Sequence, residues 1–463
     1  MRWGELASRF DCFYHGLEHK HNEELLKRTP YDLVKLDDIC IQITDGTHYT
    51  PTYFESGVHF ISVVNIAESK IDFDETKFIS IEEHETFIKR CFPKARDILL
   101  TKIGSIGRAA IVPENSPDFS IFVSVALLKL DIKKVLPEFL LAFLNSKLAY
   151  YQFERHLKGI GVPDLHLENI ATTLIPLPSD IEKQEQLSNI YMNGIRQNHE
   201  NLKKVDNLLS GMDTFVLNIL GIVPEQKKDK PFAMKISQLE QRIDADYYTA
   251  SFRSLRKKIL NCDYPAIHIK DAYEYMKTGF AAGKQDQVDI DDETGVIQIR
   301  PFNISSDGML VFDTTKHVPE SNMSDDKYCL KGEVLFNNTN SAKWVGKSTV
   351  FDTDISCTAS NHITRIKFID SINPYYVACL FNAFCNLGYW DLLSTYFNNQ
   401  AGVNSVTLDA VVIPIPPIEI QERIANEMNR RFTEANRLKK EADEEWQAAR
   451  KEFEEKLLGG IES

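Results

Sequence analysis

The feature that most constrains this fold is that the chain repeats itself. "SRFDCFYHGLEHK" near the start is answered by "QRIDADYYTASFR", which sets Arg9 and Asp11 opposite Arg242 and Asp244. "HFISVVNI" is answered by "VIQIRPFNI", with Asn65 opposite Asn303, and "CFPKARDILLTKIGSIGRAAIV" by "CLKGEVLFNNTNSAKWVGKSTVF", each opening on a cysteine, Cys91 and Cys329. "LPEFLLAFLNS" matches "NPYYVACLFNA", and "IPLPSDIEKQEQLSNI" matches "IPIPPIEIQERIANEM". The order is kept throughout and the offset drifts by only a few residues, the signature of a duplicated unit. The 463 residues are too many for a single core, so two copies of one domain account for the length.

Each copy has three parts. Short apolar stretches broken by turn signals ("VHFISVVNI", "RDILLTK", "GEVLFNN") predict a compact, largely β body. An apolar helix follows, around Pro137 to Tyr151 and Pro374 to Leu393. A long polar helix comes last, entered through a proline-rich strand end, with Ser179 and Glu182 spaced as a capping box and Pro417 placed for a first helical turn. The long helices carry a narrow heptad-like seam. Ile195, Leu202, Leu209 and Val216 form one row, Val205, Met212 and Ile219 a second that Asn198 interrupts; the other helix offers Ile424, Met428, Ala435, Leu438, Ala442, Trp446, Ala449, Phe453 and Leu457. A seam this narrow needs a partner helix. Two helices of matching length, each about 60 Å, most simply pair with each other. The boundaries expected are 1–178 and 237–416 for the bodies, 179–221 and 417–458 for the helices, and 222–236 for the linker.

Candidate chemistry is sparse. "GKST" at 346–349 is how a phosphate-binding P-loop ends, but the glycine required five residues earlier is Ser341, and "TVFDTD" reads as strand and turn, not helix. Its counterpart in the first half is "GRAA", so Gly104, Gly107 and Gly346 are expected to be turn glycines. His15, His19 and His21 lie on a charged stretch without carboxylate or thiol partners at matching places, which predicts a solvated helix face. No triad, metal-ligand spacing or dinucleotide loop is present, and the expectation is a chain without catalytic residues, cofactor or metal.

Charge points elsewhere. The chain carries a net charge of −14, which argues against nucleic acid unless a basic face is concealed within it. Between His84 and Arg108 stand six basic residues (Lys89, Arg90, Lys94, Arg96, Lys102, Arg108) against two acids; between Lys327 and Lys347 stand four (Lys327, Lys331, Lys343, Lys347) against one. The second run encloses Asn338, Asn340 and Ser341, side chains suited to base edges. Lys89, Lys94, Arg96 and Lys331 are expected on phosphates. The eight scattered cysteines, the lack of a membrane-length apolar run and an N-terminus without a signal-peptide pattern lead to the expectation of reduced thiols in a cytoplasmic protein.

Two β-rich bodies, each followed by a long helix introduced by "IPLP" or "IPIPPIEIQERI", resemble the specificity subunit of type I restriction-modification systems. The "DGTHYTP" stretch (Asp45 to Pro51) and the "GSIGR" turn (Gly104 to Arg108) add to the resemblance. It departs at Lys183 and Ile420, where the family has an acid before the junction glutamine, and in the second half, where "GFAAGK" and "VGKST" replace the two loop motifs. The resemblance implies an α+β chain of two tandem target-recognition domains whose long helices pair as an antiparallel coiled coil. It further implies a non-catalytic reader of a bipartite double-stranded DNA target, with Thr47, His48 and Tyr49 added to the DNA-binding set. Its partners would be two methyltransferase subunits and the restriction/translocase subunits. A protein-assembly scaffold that docks partners on the paired helices without reading DNA is the alternative.

Overall fold

The computed structural model describes residues 14–157, 161–223, 232–239, 245–283, 287, 295–397 and 400–460. Arg9, Asp11, Arg242, Asp244 and much of the linker lie outside them. The chain forms two compact units, one built on residues up to Leu202 together with those from Lys440 onward, the other on Lys203–Lys439.

In the first unit a four-stranded antiparallel sheet has the order Cys40–Asp45, Val125–Leu130, Ile98–Thr101, Ala109–Ile111. Its inner strands, Val125–Leu130 and Ile98–Thr101, are buried on both faces, which is why they read as apolar runs, whereas the edge strand Cys40–Asp45 is exposed at Ile41 and Gln42. Alternate side chains feed two cores: Ile98, Leu100, Ala126 and Leu128 pack on Phe139, Leu140 and Phe143, while Leu99, Val125 and Leu127 pack on Ile61, Phe119 and Ile121. A second sheet, Lys77–Ile79, Val58–Ile61, Phe119–Ile121, contains one parallel pairing, and Asp32–Lys35 pairs with Leu174–Leu177 at the exit to the long helix.

The second unit reproduces this plan. Its four-stranded sheet runs Tyr273–Thr278, Ile363–Phe368, Val334–Asn337, Ser348–Val350, and its three-stranded sheet His317–Pro319, Gly295–Ile299, Cys357–Ala359 again holds one parallel pair. Ala266–His268 pairs with Val412–Pro414. One sheet has no equal in the first unit among the described residues: Thr339–Asn340, Gln400–Gly402 and Thr395–Phe397.

The repeat extends to individual side chains. Asn145 takes the Ala109 N–H (2.8 Å) and donates to the Ala109 carbonyl (3.0 Å); Asn382 does the same to Ser348 at 2.9 and 2.8 Å. Gln184 accepts from Leu136 N–H and donates to the carbonyls of Lys134 and Pro178, as Gln421 does with Asn373, Ser371 and Pro416. Asn65 and Asn303 each receive a backbone N–H three residues upstream, from Ser62 and Arg300. A buried amide that satisfies both a donor and an acceptor of the backbone fixes one geometry, because any shift strands a polar group in the core.

Several expectations are corrected. The single apolar helix of each copy is two: Pro137–Leu144 and Lys147–Glu154, then Pro374–Asn386 and Tyr389–Leu393. Ser146 caps the second piece in one copy, and Gly388 at φ 72° breaks the run in the other. Asp180, not Ser179, caps the first long helix, accepting from Glu182 N–H at 2.9 Å. Pro417 stands just before the second, its carbonyl taking the Gln421 N–H. His15 and His19 are buried, with Tyr14 and Tyr151 against their rings; only His21 faces solvent. The segments carrying them wrap onto the body, which a count of nearby charges does not reveal.

The long helices are Ile181–Ser210, continued after Gly211 by Met212–Ile219, and Ile418–Leu457. Within the first unit they run in opposite directions, Tyr191 packing on Phe453 and Asn198 donating to the Ala442 carbonyl at 3.1 Å. Within the second unit Val205 and Leu209 cluster with Ala435 and Leu438, and Arg431 donates to the Leu208 carbonyl. The second helix buries the seam read from its sequence. The first does so only toward its end: Leu202 is 40% exposed, and the inner positions are Leu187, Tyr191, Gly194 and Asn201. A Cβ on Gly194 would stand 2.5 Å from that of Ala449, so the smallest residue marks the closest approach. Because Gly194, Asn198 and Asn201 are not apolar, a hydrophobic row slides onto Ile195 and Leu202 instead.

Candidate nucleic-acid interface

In both units one end of the four-stranded sheet gathers the chain's turns. In the first unit residues 45–49, 102–108, 122–124 and 161–165 meet there: Thr47 bridges Phe122, the Lys102 N–H bonds Ser124, and the Leu165 N–H bonds the Lys102 carbonyl. In the second, residues 278–280, 338–346, 360–362 and 400–403 meet: Phe280 bridges Ser360, the Asn338 N–H bonds His362, and the Val403 N–H bonds the Asn338 carbonyl. Lys102 and Asn338 therefore hold the same place. The turns close on Gly107 and Gly346, at φ 82° and 89° as the sequence led one to expect, and Gly104 also has positive φ. Ser348–Val350, which begins within "GKST", is strand, so no helix N-terminus stands ready for a phosphate there.

At the first tip the Asp45 carboxylate, 6% exposed, is faced by the Arg90 guanidinium at 3.1 Å, the Lys102 ammonium at 3.6 Å and His48 at 3.4 Å. Arg90 also donates to the Asp45 and Gly46 carbonyls, and Lys102 reaches Asp164 at 3.5 Å. The cluster ties the 45–49 turn to the 161–165 loop. Lys102, expected in the basic DNA-facing run, is instead buried in this cluster. Thr47 and His48 remain on the rim, Tyr49 is 71% exposed, and Arg108 is exposed.

At the second tip Asn338 is buried. It donates to the Asn361 carbonyl at 3.2 Å and to Thr364 Oγ1 at 2.9 Å, while its own oxygen accepts from Thr339. It is an internal anchor, not a reader of bases. Lys347 is likewise corrected: 5% exposed, it donates to Asn386 Oδ1 at 2.8 Å, and Asn386 in turn donates to Asp213, whose pKa burial raises. Asn340, Ser341 and Lys343 stay accessible, with Asn340 Oδ1 accepting from the Ser341 N–H at 2.8 Å. The Lys327 ammonium lies over the Phe280 ring at 4.8 Å, toward the same tip.

Each basic run is split by the strand it crosses. Lys94 and Arg96 precede Ile98–Thr101 and lie at the opposite end from Arg108, Arg96 pairing with Glu138 at 3.0 Å. Lys331 precedes Val334–Asn337 and pairs with Asp354 at 2.6 Å, also at the far end. Lys89 is exposed beside Arg90, past the helix Ile81–Phe87. The contiguous patches expected from composition thus become two smaller tip clusters. Sequence reasoning missed Asp45, Asp164 and the strands Thr395–Phe397 and Gln400–Gly402. The last had a signal in "TYFNNQAG", β-branched and aromatic residues beside turn formers.

Burial pushes the Cys91 thiol up to about 12 and the Cys329 thiol higher, so neither is a nucleophile near neutrality. Among the described residues no cluster of three His, Cys, Asp or Glu could hold a metal, and no helix is long and apolar enough to cross a membrane.

The comparisons with known proteins agree in kind. The model of the type I restriction modification DNA specificity domain matches residues 29–205. The type I restriction enzyme EcoBI specificity subunit of Escherichia coli is 29% identical over 172 residues, 36% of this chain and 35% of that protein. The putative type I restriction enzyme MjaX specificity subunit of Methanocaldococcus jannaschii is 26% identical over 167 residues, 35% of this chain and 38% of that one. The matched stretch spans about a third of the length of these relatives. A crystal structure of the type I restriction-modification S subunit from M. genitalium aligns with a TM-score of 0.44 at 12% identity, covering 93% of this chain and 96% of that one. Residues 29–205 thus match the type I restriction modification DNA specificity domain, and that part of the chain is similar to proteins named as type I specificity subunits.

Proposed function

We propose that this chain is a non-catalytic DNA specificity subunit that reads a bipartite target, one half with each sheet-end tip, and brings methyltransferase and restriction subunits to it. The observation that carries this reading is one frame with two tips. Asn145 and Asn382, Gln184 and Gln421, and Asn65 and Asn303 hold the same backbone atoms in both units, while Asp45, Lys102 and Asp164 in one tip give way to Asn338, Asn340 and Thr364 in the other. Two readers of different half-sites need that combination. The paired long helices serve as the spacer, and the acidic remainder of the surface is left for protein partners. Rim cations such as Arg108 and Lys343 contact phosphates, whereas Thr47, His48, Tyr49, Asn340 and Ser341 face base edges.

The test is binding of the full chain, with its modification subunit, to randomised duplexes over a range of salt. Selection of a two-part motif, with affinity falling linearly against log salt, is expected. Binding without sequence preference, or none, would leave the assembly scaffold as the better account.

A further inference from the structure

In the second unit Thr395–Phe397 is the outer strand of a small sheet whose inner strand, Gln400–Gly402, pairs with Thr339–Asn340. All three residues of the outer strand are exposed. Tyr396 is 57% and Phe397 70% accessible, although neighbours in a strand point to opposite faces. Among the described residues both faces of this strand are therefore open to solvent, and its outer edge pairs with no further strand. A bare aromatic edge of this kind is a liability unless something covers it.

The ribbon is nonetheless firmly rooted. Ala401 is fully buried, the Val403 N–H bonds the Asn338 carbonyl, and the Tyr396 hydroxyl donates to Asp391. Its register sets Ala401 against Asn340, so it stands beside the segment that carries Asn340, Ser341 and the exposed Lys343. Polar side chains, a cation and an apolar ring thus share one narrow projection.

We infer that this ribbon enters a groove of duplex DNA, Phe397 meeting the bases as an apolar contact while Tyr396 is tethered to the body. The inference rests on the DNA-reading function proposed above. A two-stranded ribbon fits the width of the major groove, where the thymine methyl offers an apolar partner; a ring entering between base steps is the minor-groove equivalent. Duplex DNA is the occupant favoured over a protein edge because the ribbon is continuous with Asn340, Ser341 and Lys343 rather than with an apolar surface.

The experiment compares the full chain with Phe397→Ser and Ile355→Ser in selection from randomised duplexes, in the presence of the modification subunit. Ile355 is a control, exposed but at the far end of the sheet beside Asp354. Phe397→Ser is expected to reduce preference by roughly tenfold at one or two positions of the half-site that Asn340→Ala also alters. The other half-site and the salt slope should stay unchanged, since no phosphate contact is lost. Ile355→Ser should match the parent. An unaltered motif in Phe397→Ser, or a uniform loss across all sequences, overturns the inference while leaving the proposed function in place; an unaltered motif with lost self-association assigns the ribbon to a protein edge. Failure of the parent chain to select any motif overturns the DNA reading and this inference with it.

Discussion

At the first tip the turn after Asp45 is held by charge: Arg90 and Lys102 converge on one buried carboxylate, and Lys102 carries the tie on to Asp164. At the second tip the same position is Asn338, and neutral hydrogen bonds to Asn361 and Thr364 replace the ion pairs. Around both, the supporting amides are identical in role. The difference teaches where the duplicated domain could vary. Amides that serve backbone atoms of the sheet and helices cannot change without stranding a buried donor or acceptor. Side chains that only join one loop to another can be exchanged for any set that balances its own charges.

The largest effect that could break this comparison concerns the closing glycines. Gly107 and Gly346 share a left-handed φ, so alanine costs about 1–2 kcal/mol at each. A Cβ on Gly346 would stand 2.0 Å from the buried Trp390 ring, against 3.2 Å from Phe153 for Gly107. Overpacking should therefore add about 1–3 kcal/mol to Gly346→Ala alone. Denaturant titration of the two variants checks this, and equal losses would show that the turns are packed alike.

Next come the framework asparagines. Asn382→Ala removes two hydrogen bonds and leaves the buried N–H and C=O of Ser348 without that partner; Asn145→Ala removes three and leaves the Ala109 N–H unpaired, while the Ala109 carbonyl keeps the Ser69 N–H, for a loss of about 2–4 kcal/mol in each. The two losses should agree closely, and amide hydrogen exchange should place each in its own unit. A much smaller loss in one unit would mean that only the other depends on the clamp.

The tips themselves give a smaller contrast. Lys102→Met leaves Asp45 buried with one cation fewer, so exchange of the 45–49 and 161–165 amides should quicken by roughly tenfold, about 1.4 kcal/mol. Asn338→Ala should quicken 339–341 and 400–403 instead. If either substitution loosens the opposite tip, the units are not independent readers.

Smallest is a pH effect confined to the second unit. Burial raises the Asp213 pKa in the folded chain, so the fold favours the protonated acid and loses stability as pH rises through that raised value. Asp213→Asn should therefore raise the thermal midpoint slightly at pH 7, and the gain should fade on acidification through the carboxylate range. A gain that persists in acid would mean that the substitution acts by packing.

Much of the frame was legible in the sequence, because a duplication is visible as order and apolar strands are visible as runs. The pairing helices were legible too, except where Gly194 and Asn201 occupy inner positions that a hydrophobic row passes over. The tips were harder to read. A lysine or asparagine after a strand looks the same whether it turns inward, as Lys102, Lys347 and Asn338 do, or outward, as Lys343 does. Charge counted along the chain also cannot see that Arg96 and Arg108 lie at opposite ends of one strand. The closure of the aromatic ribbon depends on a pairing between Asn340 and Ala401 that no local pattern announces.

The most direct test of the central claim is the motif selected by Tyr49→Ala beside that selected by Asn340→Ala, in the full chain with its modification subunit. Tyr49 stands on the first tip and Asn340 on the second. The account predicts that each substitution relaxes one half of a two-part motif, by about 1–3 kcal/mol against the preferred base, and leaves the other half and the spacing intact. Both substitutions altering the same half, or neither altering any, would contradict it.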